Sequence, residues 1–473
     1  MHSAKTKTHT VDLLSPFTWD ADKLAALAEI LGEPCRIPLK GCDSWALMIN
    51  GSRVHTPSYS WLKLRANKSA STSEKSARHI KFWVEFLLNK PDSRWDDDEC
   101  FSDVMVATEW DLYECKQHCL EELEWSPSQW NSFLSNVKQF HEYIKERFKV
   151  PRPFTLQEVP GRDGQIVTTT GLSVRDNASS SGTPLTPDYA DLLLRGASRQ
   201  DSSGVEHDGP STPRDIAFIN HALATGQRRE SLALMTIYEV PPPPTNGSPF
   251  VMARVPDASA KNLKGSISRA FEFRMQRVRN YINAPTFGRG DLVEASIRNH
   301  QKGIKGQPLR VHSANASTWT EVDADGVVGQ KRAWNDTTAD QRRRLVDADG
   351  SSPLIHLTMK GKPMSVHTAS AIVERARKFV IDNLDDLFPP DFTLHDCRHT
   401  FAVHFAICHY LGELQRWDSN YRQANLQNAL WMTQVALGHT DPASTSMYTS
   451  HAQDQMAADP PIPVDRYVGR RTY

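Results

Sequence analysis

Four short phrases, far apart along the chain, place the strongest demand on any fold this sequence adopts. Thr225-Gly226-Gln227-Arg228 comes first, His395-Asp396-Cys397-Arg398 follows, then Leu437-Gly438-His439, and finally Tyr448, nine residues after that histidine. Each phrase carries the grammar of a helix end or a firm helix. Gly226 sits where a glycine stops a helix, so Arg228 projects from a turn on a rigid support. His395 and Arg398, three apart, share one face of a helix that continues through Phe401, Ala402 and Phe405. Gly438 is the stop for a helix holding Leu430, Trp431 and Val435. Asp441-Pro442 then opens another, on which Tyr448 rides. The fold class expected is mainly α with a small β-sheet.

Two arginines, two histidines and a tyrosine form the equipment for breaking a phosphodiester without metal. Planar guanidinium forks match the non-bridging oxygens of a phosphate. Arg228 and Arg398 are therefore the candidate clamp on the charge that builds at phosphorus, and Tyr448 is the candidate nucleophile. Taken singly, each piece has a plainer reading. His-x-x-Arg occurs on surface helices, Leu-Gly-His is a helix stop, and a lone tyrosine is usually half-buried core. Their joint presence, in this order, carries the weight.

The phrases Thr-Gly-x-Arg, His-Asp-x-Arg-His-Thr-Phe-Ala and Leu-Gly-His with a tyrosine nine residues later resemble the tyrosine recombinase (phage integrase) family. The resemblance spans roughly 185–460, and loosely 70–150. It implies a helical core-binding domain followed by a mixed α/β catalytic domain, gripping double-stranded DNA and assembling as a tetramer, with companion recombinases as possible partners. It implies strand cutting and rejoining through a 3′-phosphotyrosine, with no metal and no cofactor. His395 would hydrogen-bond the phosphate or accept the tyrosine proton, and His439 would bond a non-bridging oxygen. A lysine on a β-hairpin would protonate the departing 5′-oxygen. Lys264 is favoured, five residues before Arg269, which is read as opening the second strand; Lys261 would serve in a longer hairpin.

The sequence departs from the family pattern in three places. Ser231 stands where an acidic residue is usual, with Glu230 one position early. Arg229 adjoins Arg228, so the register could shift by one. His439 lies 41 residues beyond Arg398, a long interval whose excess falls near Leu411 to Gln427. Integrase, transposase and resolvase roles share this chemistry. So does a type IB topoisomerase, which relaxes supercoils without a synapse. A DNA-binding regulator with an eroded site is a further alternative, but an eroded member should have lost one of the five residues.

The rest of the chain fits a multidomain globular protein. Net charge is −1, yet residues 96–124 carry eleven acidic side chains and one lysine, whereas residues 261–310 carry eleven basic and three acidic ones. Nucleic acid responds to the local patch, so the basic segment is expected to touch DNA. Seven scattered cysteines, with no Cys-x-x-Cys pair, argue against a disulfide framework, and Cys115 and Cys119, on one helix face, read as two small buried thiols rather than a metal site. No apolar run is long enough to span a membrane, and the first residues do not read as a signal peptide. A cytoplasmic protein, nucleoid-associated when bound to DNA, is expected.

Residues 1–66 read as an N-terminal extension of unassigned role, with a short amphipathic helix from Ala21 to Leu31 capped by Asp20. Residues 67–150 read as the helical domain, with helices starting at Ser71–Ser73, near Glu109 and at Ser126-Pro127. Residues 151–185 read as a linker, and 186–473 as the catalytic domain. In the latter, Thr212 should cap a helix with Pro213 at its first position. Phe250–Val255 and Arg269–Phe273 should form a hairpin, and Leu354–Leu357 a strand. Residues 286–350 read as an insertion, either partly disordered or a small subdomain.

Overall fold

In the computed structural model the Ser126-Pro127 pair starts a helix where expected. The structure describes residues 9–15, 44–51, 53–66, 68, 70–90, 102–160, 166–174, 182–206, 209–255, 266–304, 306–416, 426–437, 443–458 and 462–469. Ser126 accepts a hydrogen bond from the Gln129 N–H while the Gln129 side chain accepts one from the Ser126 N–H, a reciprocal capping box. The helix runs Pro127–Phe148 and ends on Lys149 in the left-handed region (φ 61°). Trp130, Phe133, Val137, Phe140 and Ile144, at alternating three- and four-residue steps, are fully buried. Each such side chain contributes roughly 1.5–3 kcal/mol of burial. A second capping box, Thr108 with Asp111, opens the helix Glu109–Gln117.

These helices share one core with the helix Ala70–Leu88, which buries Ile80, Trp83, Val84 and Leu87. That helix opens before Ser71–Ser73, not on them. Ser73 donates backward to the Arg65 carbonyl at 2.9 Å, so its hydroxyl is not a cap for the following N–H groups.

The segment read as an extension contributes to the same core. Strands Val11–Leu14, Ala46–Ile49 and Arg53–Val54 pair antiparallel in that order, and Val11, Leu47, Ile49, Trp61 and Leu62 pack beside the helices. The expected helix at 21–31 lies outside the described residues. The segment read as a linker also belongs here. It forms a hairpin, Gln157–Pro160 against Ile166–Thr169. The Trp130 indole donates to the Leu172 carbonyl at 2.9 Å, and Asn131 exchanges hydrogen bonds with the backbone of Val174 at 2.7 and 3.0 Å. A buried indole N–H needs an acceptor, and the segment supplies one. The chain accordingly divides into two units, 1–179 and 180–473.

The second unit begins with Thr186 capping Pro187–Ala197. The helix Thr212–Thr225 is buried on nearly all sides. Its cap position is Ser211, one residue earlier than expected, which moves Thr212 inside the helix and Pro213 to its second position. The Thr212 hydroxyl accepts instead from the Gly209 N–H at 3.1 Å. Strands Phe250–Val255 and Ser266–Phe271 form the expected hairpin, with Met252 opposite Arg269. The second strand starts three residues before Arg269, and Phe273 falls on the helix Glu272–Asn283 that follows at once.

Leu354–Leu357 is not a strand of a sheet. It makes only isolated bridges, Leu354 to Thr236 and Leu357 to Pro363. All four residues are buried, so their apolar run reflects burial on every side rather than a sheet edge.

The segment read as an insertion, 286–350, carries short helices and a small sheet within the second unit. Its four-stranded sheet runs in the order Val328–Ala333, Thr318–Val322, Leu309–Ala314, Leu345–Val346. Trp319 stacks on Trp334 with ring centroids 5.8 Å apart. Arg342 anchors this segment. It is buried and forks onto Glu239 at 2.7 and 3.0 Å, and also donates to the carbonyls of Leu234, Trp334 and Thr337.

The basic segment 261–310 is likewise not a uniform DNA-facing patch. Arg274, Arg279 and Arg289 are buried. Arg279 donates to the Pro241 carbonyl and Arg289 to the carbonyls of Leu354 and Ser352, so part of this charge is structural. Cys115 and Cys119 are buried free thiols, as expected, and so are Cys397 and Cys408. Among the described residues no helix is long and apolar enough to cross a membrane.

Candidate active site

Gly226 ends its helix with φ +58°, a conformation that costs glycine little. It also permits close approach, because a Cβ there would fall 2.4 Å from the Phe401 ring. Arg228, two residues on, caps the short helix Arg229–Ala233 and is half-buried, while Arg229 and Glu230 are exposed. Glu230 pairs with Arg343 of the 286–350 segment at 3.1 Å.

The helix Leu394–Arg416 supplies the second group. Its entry is fixed by Asp396, whose carboxylate accepts from both the N–H and the hydroxyl of Thr393 at 2.8 and 2.7 Å. Arg398 is buried, and its fork donates to two backbone carbonyls, those of Gly226 and Leu437, each at 2.6 Å. One guanidinium thus ties the Arg228 turn to the end of the helix Leu426–Leu437. Burial, and then the neighbouring positive charge of Arg228, pull the Arg398 pKa down to about 10, while Tyr448 acts in the opposite direction. At neutral pH Arg398 remains a cation.

Tyr448 rides on the helix Ala443–Met456 and is 2% exposed. Burial raises its pKa, and the charges of Arg398 and Arg228 oppose that rise. Tyr448 also acts electrostatically on both arginines, so the three groups form one field. Its hydroxyl lies 3.0 Å from Nδ1 of His399. The sequence reading quoted His399 inside the motif phrase but gave it no role. The available signal was its position, four residues after His395 and next to Arg398, which puts all three on one helix face. His395 is exposed and lines a cleft, its ring edge-to-face with that of His399 at 4.6 Å. Burial and then Arg398 lower the His395 pKa; Asp396 opposes, and Arg228 and Arg229 add to the lowering.

The cleft, ≈ 540 Å³, is lined in part by Gln227, Arg228, Arg229, Arg377, His395 and Arg398. Its charge favours an anion, with Glu374 the one acid on its wall among the described residues.

The structure therefore gathers Arg228, His395, Arg398 and Tyr448. His439, Lys264 and Lys261 lie outside the described residues; His439 follows two positions after the carbonyl that Arg398 holds. The spacing argument for Lys264 changes, because the second strand opens at Ser266. Lys261, not Lys264, is five residues before that start. Among the described residues no cluster of three or more His, Cys, Asp or Glu could hold a metal ion.

No family model matches the chain, and no curated protein does. Solved structures with a similar backbone include the Tn1549 transposon integrase in complex with transposon right end DNA, at 13% identity over 85% of this chain and 97% of that one, with TM-score 0.45. The XerH site-specific recombinase bound to a palindromic difH substrate is similar at 13% identity over 85% and 82%, TM-score 0.46. A lambda integrase dimer bound to a COC′ core site is similar at 12% identity over 83% and 76%, TM-score 0.41. Likeness at this level assigns no residue a role, and the chemistry rests on the site itself.

Proposed function

We propose that this protein is a site-specific DNA recombinase of the tyrosine type, cutting and rejoining strands through a 3′-phosphotyrosine. The observation that carries this reading is a buried tyrosine hydroxyl in the shared field of two arginines, one of which holds both flanking elements through backbone carbonyls. Arg228 and Arg398 would bind the non-bridging oxygens of the scissile phosphate, where negative charge grows. Tyr448 attacks phosphorus, an O–P bond forms, and the bond to the 5′-oxygen breaks. The departing oxygen takes a proton from a hairpin lysine, Lys264 or Lys261. His395, lining the cleft, and His439 would hydrogen-bond the phosphate. The covalent link retains the bond energy, so rejoining needs no further input. Double-stranded DNA is the substrate and partner, and the working assembly is a tetramer on two sites.

The test uses duplexes tiled across the DNA that flanks the gene. Strand exchange between two such duplexes, lost in Tyr448→Phe, is the expected result. Relaxation of supercoiled plasmid without any exchange would move the protein to the type IB topoisomerase class. DNA binding with neither activity would leave a regulator.

A further inference from the structure

We propose that His399, rather than His395, receives the phenolic proton of Tyr448 during attack. This rests on Tyr448 being the nucleophile. The geometry is specific. The Tyr448 hydroxyl and His399 Nδ1 are 3.0 Å apart, within reach for direct transfer. Gly182 leaves room for the His399 ring: a Cβ there would fall 2.3 Å from His399 Cδ2 and 2.0 Å from Asp396 Oδ1. Only glycine leaves the ring this position. His395 is exposed and lines the cleft that would take the phosphate.

The environment keeps the ring neutral before attack, so a ring nitrogen is open to a proton. Burial, then the positive influence of His395, lower the His399 pKa to about 4; Asp396 opposes, and Arg398 and His451 add to the lowering. The ring is therefore neutral at physiological pH, and in its Nε2-protonated tautomer Nδ1 accepts from the tyrosine hydroxyl. As the O–P bond forms, the proton passes from Tyr448 to Nδ1, giving an imidazolium. Asp396 beside it is the compensating charge. The leaving 5′-oxygen takes its proton from the hairpin lysine. On rejoining both transfers reverse, and Tyr448 recovers its hydrogen from His399. Among the described residues the groups facing this ring are His395, Asp396 and Arg398 on its own helix, and Tyr448 and His451 on the tyrosine helix.

The experiment measures covalent adduct formation on nicked suicide duplexes tiled across the gene's flanking DNA, between pH 6 and 9. The parent rate should be nearly flat in this window, because the acceptor is already neutral. His399→Ala should fall by about 10²–10⁴ at pH 7. Its rate should then climb about tenfold per pH unit, because attack must wait for the free tyrosinate of a phenol whose ordinary pKa is about 10. His399→Asn decides between acting and positioning, even if the alanine variant fails to fold. Its amide oxygen occupies the place of Nδ1 and can hold the hydroxyl, yet cannot take the proton. It should show the same steep profile. A flat profile and near-parental rate in His399→Asn would overturn the proposal. A steep profile in His395→Ala alone would return the role to His395. A parent that forms no adduct on any duplex would refute the recombinase reading instead.

Discussion

Two buried arginines of the second unit, Arg342 and Arg398, are held in opposite ways. Arg342 forks onto the buried carboxylate of Glu239, and its remaining bonds go to carbonyls. Its charge is cancelled where it lies, and it fastens the 286–350 segment to the stretch around Leu234–Glu239. Among the described residues the Arg398 fork bonds the neutral carbonyls of Gly226 and Leu437, beside a second arginine that disfavours its charge. Burying a cation without a counter-charge is costly. The difference teaches that burial alone does not mark a catalytic arginine. A buried arginine fixed by dipoles, with its charge left uncancelled, is preorganised for an anion that arrives from outside.

This contrast can be broken by substitution. The largest effect expected is on catalysis at Arg398. Arg398→Ala should lower adduct formation by about 10²–10³, since one clamp on developing charge is lost. Arg398→Lys should recover little, because an ammonium cannot reproduce the two-carbonyl fork and still face a phosphate. Chemical denaturation of Arg398→Met should show a loss of no more than about 2 kcal/mol, as two carbonyls lose donors while an uncompensated charge disappears. A larger loss would mean that Arg398 is as structural as Arg342.

Stability should respond the other way at the anchor. Arg342→Met leaves Glu239 buried and alone, which should cost about 3–5 kcal/mol. Adding Glu239→Leu should recover much of that loss in a denaturant titration. No recovery in the double variant would show that the carbonyl bonds, not the ion pair, carry the anchor.

The smallest effect sharpens the register. Arg229 is exposed and Arg228 half-buried in the field of Tyr448. Arg229→Ala should change the adduct rate by less than about threefold, the scale of an exposed charge contact, whereas Arg228→Ala should match Arg398→Ala. The reverse outcome would place the first clamp one residue later.

Much of this was legible before the structure. The helix carrying Trp130, Phe133 and Val137 announced itself by periodicity and by Ser126-Pro127. The convergence of Arg228, His395, Arg398 and Tyr448 followed from motif order. Three other things depend on partners distant in sequence. The burial of Arg342 needs Glu239, 103 residues away. The packing of the segment after the 157–169 hairpin against Trp130 is hidden because the tie is the Leu172 backbone carbonyl, which leaves no mark in sequence. The contact of His399 with Tyr448 joins residues 49 apart through side-chain geometry that no spacing rule encodes. Leu354–Leu357 misleads for a related reason, because an apolar run buried on all sides looks the same whether or not strands flank it.

The central claim is that Tyr448 becomes covalently joined to DNA. Trapped adduct from a nicked suicide duplex, digested with protease and nuclease, should yield one nucleotide-linked peptide, with the linkage on Tyr448 and the DNA attached through its 3′-phosphate. Tyr448→Phe should yield none while still binding the duplex. An adduct on another residue, or one that persists in Tyr448→Phe, would contradict the account.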